Sequence, residues 1–323
     1  MDTQNILTKL NATIKAITRS DISSSLLTPQ KAQQFIRVVE NSTPLLRSAR
    51  RLDMNSHTRE IDRVMFAGRI LKKTGGEQKD ISNEQKVATA VNKLTSEELG
   101  GFVGLTDHTL EDNIERGKFE DTVLQLLGEA SGRDLEYLYL AGDKSSPDEL
   151  LSITDGWLKK SANKVTGVAT APNASQFVNA DVESLLRKML DACPKKYLTD
   201  LTQWRFYVTW DMLDDYREKL GLRETALGDA AKTGAIDLSY KGIKLEYVPQ
   251  MPMGSALLAP PSNLVYGLYR DIKVETDRVP KARRTDFVIT TRTDCHYEDE
   301  NASVVATGYA GQEVVAGDQG KGK

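Results

Sequence analysis

The chain has 323 residues, 39% of them hydrophobic, and its 43 Lys and Arg against 46 Asp and Glu leave a net charge of −3. That length suffices for two ordinary domains with cores of their own, and a pI near 5.8 argues against a dedicated nucleic-acid binder. Two cysteines, Cys193 and Cys295, do not make a disulfide framework. No stretch approaches the ~18 apolar residues of a membrane span, and MDTQNILTKLNATIKAI lacks a basic n-region, so the reading expects a protein made and folded in the cytosol.

Residues 1–20 place Ile6, Leu7, Leu10, Ile14 and Ile17 at helical spacing, and a polar linker runs from Ser20 to Thr28. Thr28 and Pro29 then open a second helix bearing Ala32, Phe35, Ile36 and Val39, which ends before Pro44. This opening segment is an arm with too little apolar surface to fold alone. From His57 to Leu105 the chain changes character. HTREIDRVMFAGRIL runs out, KKTGGEQKDISNEQK turns, and VATAVNKL runs back, after which the chain returns through Gly100, Gly101 and Val103. A lone two-stranded hairpin is marginal in water, so another subunit is expected to stabilise it.

The stretch from Asp107 to Asp143 carries the longest helical period. Val123, Leu126, Leu127, Ala130, Leu138 and Ala141 fall on one side, predicting a helix from Gly117 to Gly142, on the order of 39 Å long at 1.5 Å per residue. Gly128 and Gly132 predict a bend or a close backbone approach, and Gly142 a C-cap. ELLSITDGWLKKSAN reads as a short helix or turn, and KVTGVATAPNASQ as a hinge. Asp181 opens a helix with Val182, Leu185, Leu186, Met189 and Leu190 on one face. WRFYVTW reads as a buried strand through Trp204, Phe206, Val208 and Trp210. Asp211 is placed to cap a helix carrying Met212, Leu213, Tyr216 and Leu220, and GIKLEYV is a further strand. Beyond Pro260 and Pro261 the chain reads all-β, with Phe287, Ile289, Thr291, Thr293, Cys295 and Tyr297 on one face.

Charge is unevenly spread. Between Glu97 and Asp155 fifteen acidic residues face four basic ones, a balance of −11, whereas Arg47, Arg50, Arg51, Arg59, Arg63, Arg69, Lys72 and Lys73 upstream face only Asp53, Glu60 and Asp62. Two solvated faces would explain this, and so would complementarity between neighbouring copies. Catalytic signals are weak. There is no P-loop, nucleophile elbow or zinc-type His-Glu-X-X-His spacing. His57, His108 and His296 are scattered, and Asp214–Asp215 and Glu298–Asp299–Glu300 read as a helix face and a solvated turn. No catalytic, cofactor-binding or metal residue is assigned.

The order of elements resembles the major capsid proteins of tailed phages with the HK97-type fold. LTDHTLEDN leading to EYLYLAGD is similar to the entry and exit of that family's spine helix. KGIKLEYVPQMP, SALLAPPSNLVYGLYRDIKVETD and FVITTRTDCHYEDENASVVATG are similar to its closing strands. The resemblance covers about residues 29–309. It implies an α+β chain with an N-terminal arm (1–56), an extended two-stranded loop or E-loop (57–105), and a peripheral (P) domain with its spine helix (107–177 and 261–310). An inserted α/β axial (A) domain (178–260) and a flexible tail (311–323) complete it. It also implies pentamers and hexamers closing into an icosahedral shell around double-stranded DNA, bound without sequence specificity. Scaffolding, portal and decoration proteins would be partners in a virion assembled in the host cytoplasm, with no cofactor, no membrane and no enzymatic activity. The charge pattern puts Arg59, Arg63, Arg69, Lys72 and Lys73 against Glu111, Asp112, Glu115, Glu120 and Asp121 of a neighbour. The rival readings are an encapsulin-like compartment and a soluble α/β enzyme.

Overall fold

The computed structural model describes residues 43–66, 87–106, 119–170, 173, 175–222, 233–234 and 236–311. The two N-terminal helices, the hairpin tip and the entry to the long helix lie outside them. In chain order the elements are α1 (Pro44–Ser48), β1 (Arg50–Asp53), β2 (Thr58–Phe66), β3 (Val87–Thr95), β4 (Glu97–Thr106), α2 (Phe119–Ala141) and α3 (Trp157–Lys160). Next come β5 (Asn163–Val168), β6 (Gln176–Val178), α4 (Val182–Ala192), β7 (Arg205–Val208), α5 (Trp210–Gly221), β8 (Ser239–Tyr240) and β9 (Ile243–Tyr247). The chain closes with β10 (Ala256–Ala259), β11 (Leu264–Val279), β12 (Arg284–Tyr297) and β13 (Val304–Thr307). These form sheets ordered β1-β11-β12-β4, β6-β5-β13-β10-β7-β9-β8 and β2-β3.

Two compact units share the described chain. One contains 97–134 and 268–293; the other contains 44–96, 135–267 and 294–311. In the first, β4 pairs antiparallel with β12 from Thr106↔Arg284 to Glu97↔Thr293. The sequence reading passes over β4 because EELGGFVGLT has three glycines and poor strand propensity; the ladder with β12 fixes it instead. β11 and β12 join through a short 3-10 turn, Pro280–Ala282, that ends on Arg283 with a left-handed φ of 46°. The alternation expected along β12 holds, with Phe287, Ile289, Thr291, Thr293, Cys295 and Tyr297 all buried.

The second unit is built on the seven-stranded sheet. Its centre, β10 with all four residues buried, pairs with β13 on one side and β7 on the other. β5, read as a hinge, is a strand that runs parallel to both β13 and β6. The α/β layer therefore takes strands from both sides of the 178–260 boundary, because ALLA and VVAT are short apolar runs that fit a central strand buried on both faces. α4 follows its reading closely. The Asp181 side chain accepts from Glu183 N, and Val182, Leu185, Leu186, Met189 and Leu190 pack into the core with Phe206, Val208 and Met212.

Trp210 departs from its expected place in the core. It is the first residue of α5, 51% exposed, and its ring meets Tyr247 edge-on at 5.6 Å. Thr209, not Asp211, holds the N-cap position. In α2, Leu126 is 58% exposed, whereas Leu135, Glu136, Leu138, Tyr139 and Leu140 are buried, so the last turns are enclosed nearly all round and the one-sided face does not hold. Gly128 and Gly132 are buried within α2. Gly142 follows the helix because nothing larger fits: a Cβ there would sit 2.3 Å from Thr154 O. Gly156 N donates to Gly142 O at 2.8 Å, and a Cβ on Gly156 would lie 2.5 Å from Leu140 O. Two bare backbones meet here. Gly142→Ala and Gly156→Ala should each lower stability by about 1–3 kcal/mol, read as a lower urea midpoint at unchanged slope.

Candidate assembly surfaces

The hairpin β2–β3 carries the part of the chain that the sequence assigns to contact between copies. Its strands pair antiparallel from Thr58↔Thr95 to Phe66↔Val87. Alternation splits them into two faces. Glu60, Asp62, Val91 and Lys93 are exposed or half-buried on one side, while Leu94 is buried with Met54 and Val265, and Ile61 and Leu52 pack alongside. Gly267 of β11 makes room for that base, since a Cβ there would meet Met54 Sδ at 2.7 Å and Leu94 Cδ1 at 3.0 Å.

The apolar cluster among the described residues is small, and a set of polar contacts anchors the hairpin beside it. Ser96 N donates to His57 O at 2.9 Å, closing the hairpin base. Asn92 Nδ2 donates to Tyr297 O at 2.9 Å and to Glu298 O at 3.3 Å. Thr95 N donates to Asp294 Oδ2 at 2.8 Å. The other oxygen of Asp294 accepts from Thr154 Oγ1 at 2.6 Å and Cys295 N at 2.8 Å, with Lys160 Nζ 3.4 Å away. Asp294 is 4% exposed. A buried carboxylate is tolerated because its oxygens are this fully engaged.

A second knot holds the same base. Asp299, read from sequence as part of a solvated turn, is buried. It caps the 3-10 turn Glu300–Ala302 through Asn301 N at 3.0 Å and forms an ion pair with Arg63. Asn263 brackets it, accepting from Asp299 N at 2.7 Å and donating to Asp299 O at 2.9 Å. Arg50 pairs with Glu298 at 2.8 Å.

The expected contact residues are redistributed accordingly. Arg63 is spent on Asp299, and Arg59 donates to the carbonyl of Asp53, so both cations serve the fold of their own chain. Glu120 and Asp121 fall in the first turn of α2. Arg69, Lys72, Lys73, Glu111, Asp112 and Glu115 lie outside the described residues. Sequence reasoning missed Asp294, Asn92 and Asn263, whose partners lie up to 206 positions away. The one available signal is Asp294 itself, a carboxylate within the long strand pattern of β12.

Glu136 is also buried. Its Oε1 accepts from Leu45 N at 2.8 Å, so a residue of α2 satisfies an amide at the start of α1. Burial outweighs the amides of Leu45 and Leu46 and pushes the carboxyl up to about 7. Glu98 lies on the surface of the other unit. It is gripped by Arg270 at 2.6 Å and Arg292 at 2.6 Å, and the hydrogen bonds from Arg292 and Arg270 hold it below the usual carboxylate range. A recess of ~350 Å³ is lined by Trp210, Asp211, Asp214, Asp215, Met253 and Tyr309. The Tyr309 hydroxyl donates to Asp215 there. Both cysteines are buried, with thiols pushed up to about 11 for Cys193 and about 12 for Cys295, far from a reactive thiolate. Among the described residues no group of three His, Cys, Asp or Glu is placed to hold a metal ion.

The whole-chain likenesses are to capsid chains. YqbE of Bacillus subtilis (strain 168), provisionally named a prophage capsid protein, is 28% identical over 320 residues, spanning 94% of this chain and 97% of its own. A chain of the satellite phage P4 procapsid that includes the size determination (Sid) protein superposes with a TM-score of 0.65 at 16% identity, covering 96% of this chain and 99% of that one. The chain has the HK97-type capsid fold. The capsid of the native GTA particle agrees with a TM-score of 0.57 at 14% identity (83% and 91% covered), and Gordonia phage Cozz with 0.58 at 12% identity (82% and 86% covered). No protein-family model matches the chain.

The buried carboxylates predict two outcomes. Asp294→Ala leaves Thr95 N, Thr154 Oγ1 and Lys160 without their shared acceptor and should cost about 3–5 kcal/mol in urea unfolding. Glu136 is raised on folding from an ordinary 4.5 to about 7. The folded chain therefore binds more protons between those values. The contribution is fully present below pH 4.5 and is lost as pH rises through 7, by at most about 3 kcal/mol. Glu136→Gln keeps the acceptor for Leu45 N and should flatten that slope in unfolding measured from about pH 5 to about pH 8.

Proposed function

We propose that this chain is the major capsid protein of a tailed phage, assembling as pentamers and hexamers into an icosahedral shell around double-stranded DNA. The observation that carries the reading is agreement over nearly the whole length with a relative named for a prophage capsid, in a chain whose fold is that of capsid subunits. The role is structural rather than catalytic, and the protein's place is the virion. Neither an encapsulin-like compartment nor a soluble enzyme draws support from the likenesses.

In this reading, residues 1–56 form the arm and 57–105 the E-loop. The long helix with the β11–β12 hairpin forms the peripheral region, and the layer around β7, β9, β10, α4 and α5 forms the axial region. The hairpin base is fixed to its own chain, and the tip reaches a neighbour. The surplus of cations from Arg47 to Lys73 and of carboxylates from Glu97 to Asp155 steers copies together through many individually weak contacts. Because Arg59 and Arg63 are engaged internally, the contact with the spine carboxylates of a neighbour falls, of the five cations assigned to it, to Arg69, Lys72 and Lys73. A near-neutral total suits a wall that encloses DNA without gripping its phosphates. Scaffolding, portal and decoration proteins are the expected partners, and among the described residues no helix is long and apolar enough to cross a membrane.

Light scattering with negative-stain electron microscopy at low and high salt tests the reading. Rings, tubes or shells that loosen as salt rises are expected. Assemblies indifferent to salt would remove the electrostatic account, and a strictly monomeric chain, even with a scaffolding protein present, would remove the capsid reading.

A further inference from the structure

β4 is the edge strand of its sheet, and its far side is not paired among the described residues. An edge of ten residues with neither Pro nor Lys is an open template for another strand. Its composition is unusual for an edge left in water. On one face Gly100, Phe102 and Gly104 follow one another, and Phe102 is 58% exposed between the two glycines. The other face carries Leu99, Gly101, Val103 and Leu105. Packing within the chain does not require glycine at 100 or 101, because a Cβ would have 3.7 Å and 3.9 Å of clearance and neither φ is positive, whereas Gly104 is tighter, 3.0 Å from Asp286 Oδ1.

The partner cannot be the hairpin of the same chain. Only Ser96 separates β3 from β4, one residue fewer than the shortest common hairpin turn. We propose instead that β4 pairs antiparallel with β4 of a second copy across a two-fold axis, with Phe102 opposite Phe102. This rests on the capsid reading, whose closed shell supplies two-fold axes.

The register follows from the edge itself. Residues whose N–H and C=O point away from β12 alternate, so they all share one parity. Two copies of this edge can match donors to acceptors only when the paired residue numbers sum to an even value, which puts the axis through a residue. Placing it at Phe102 sets Leu99 against Leu105 twice and Val103 against Gly101 twice. Along both copies of β4 each Phe102 ring has only glycine on either side of it on that face, which leaves the opposing ring room alongside; on the β12 side it pairs with Val288 and carries the Arg284 guanidinium 5.8 Å from its centroid. Glu97 and Glu98 fall at opposite ends and never face each other; Glu98 is already held by Arg270 and Arg292. Seating another copy's β2 on this edge would instead bring Glu60 and Asp62 to a strand that carries Glu97 and Glu98.

An axis through one residue makes the test simple. Directly opposed residues have Cα atoms about 4.5–5.5 Å apart, within disulfide range. The native thiols of Cys193 and Cys295 are buried and give no background. Phe102→Cys, oxidised after assembly, should run mostly as a covalent dimer on a non-reducing gel and return to monomer with reductant. Val91→Cys, exposed on the hairpin, should stay monomeric. If Phe102→Cys does not assemble, the double variant Leu99→Cys/Leu105→Cys, opposed in the same register, carries the decision. Shells of the F102C chain that stay monomeric on the gel, or that cross-link only when a hairpin cysteine is also present, would overturn the two-fold pairing and leave the capsid reading standing. Failure of the unmodified chain to form any assembly would sink the capsid reading and this contact together.

Discussion

The structure depends on two buried carboxylates, Asp294 and Asp299, that fasten a hairpin unable to hold itself. Each lies near the end of the β11–β12 excursion, and each binds groups brought from β2, β3 or the segment that follows α2. Burying a carboxylate is costly unless its oxygens are fully engaged, and here they are. Geometry is gained in return, because an amide and a guanidinium on specific carboxyl oxygens fix the strand register more sharply than a few apolar contacts could. Among the described residues the apolar part of this junction is Met54, Leu94 and Val265 with their neighbours.

This arrangement matters for the proposed capsid role, in which the chain acts by associating with itself. A projection that is mobile in the free subunit loses conformational entropy at every contact it makes on assembly. Fixing its base within the chain removes much of that loss beforehand. The cations Arg59 and Arg63 illustrate the division of labour, since net charge alone would send them to a neighbour and the fold uses them at home. The buried C-terminal turns of α2 extend the same logic through Glu136, which receives Leu45 and so holds the beginning of the described chain.

Much of the fold was legible where one periodicity dominates. α4 and the inward face of β12 follow their apolar spacing residue by residue. β10, β5 and β4 were not legible, for different physical reasons. β10 is four apolar residues between prolines, too short to distinguish a strand from a loop. β5 mixes Val165 and Val168 with Asn, Lys, Thr and Gly, a pattern without clear strand periodicity, and its strand state comes from parallel neighbours on both sides. β4 is glycine-rich and exists because β12 templates it. Trp210 continued the alternation of β7 on paper, but the helix begins there and turns it outward. The anchoring residues were least legible of all, because a buried hydrogen bond between strands so distant in sequence leaves no local pattern. The overall order of elements, by contrast, was enough to place the chain among capsid folds.

Hydrogen exchange followed by mass spectrometry, on dissociated subunits and again on assembled particles, tests the anchored hairpin most directly. Amides of 58–63 and 92–96 should already be protected in the free subunit and change little on assembly. Rapid exchange of those amides in the free subunit, with protection appearing only in the particle, would contradict this and show that neighbours, not Asp294 and Asp299, hold the hairpin in place.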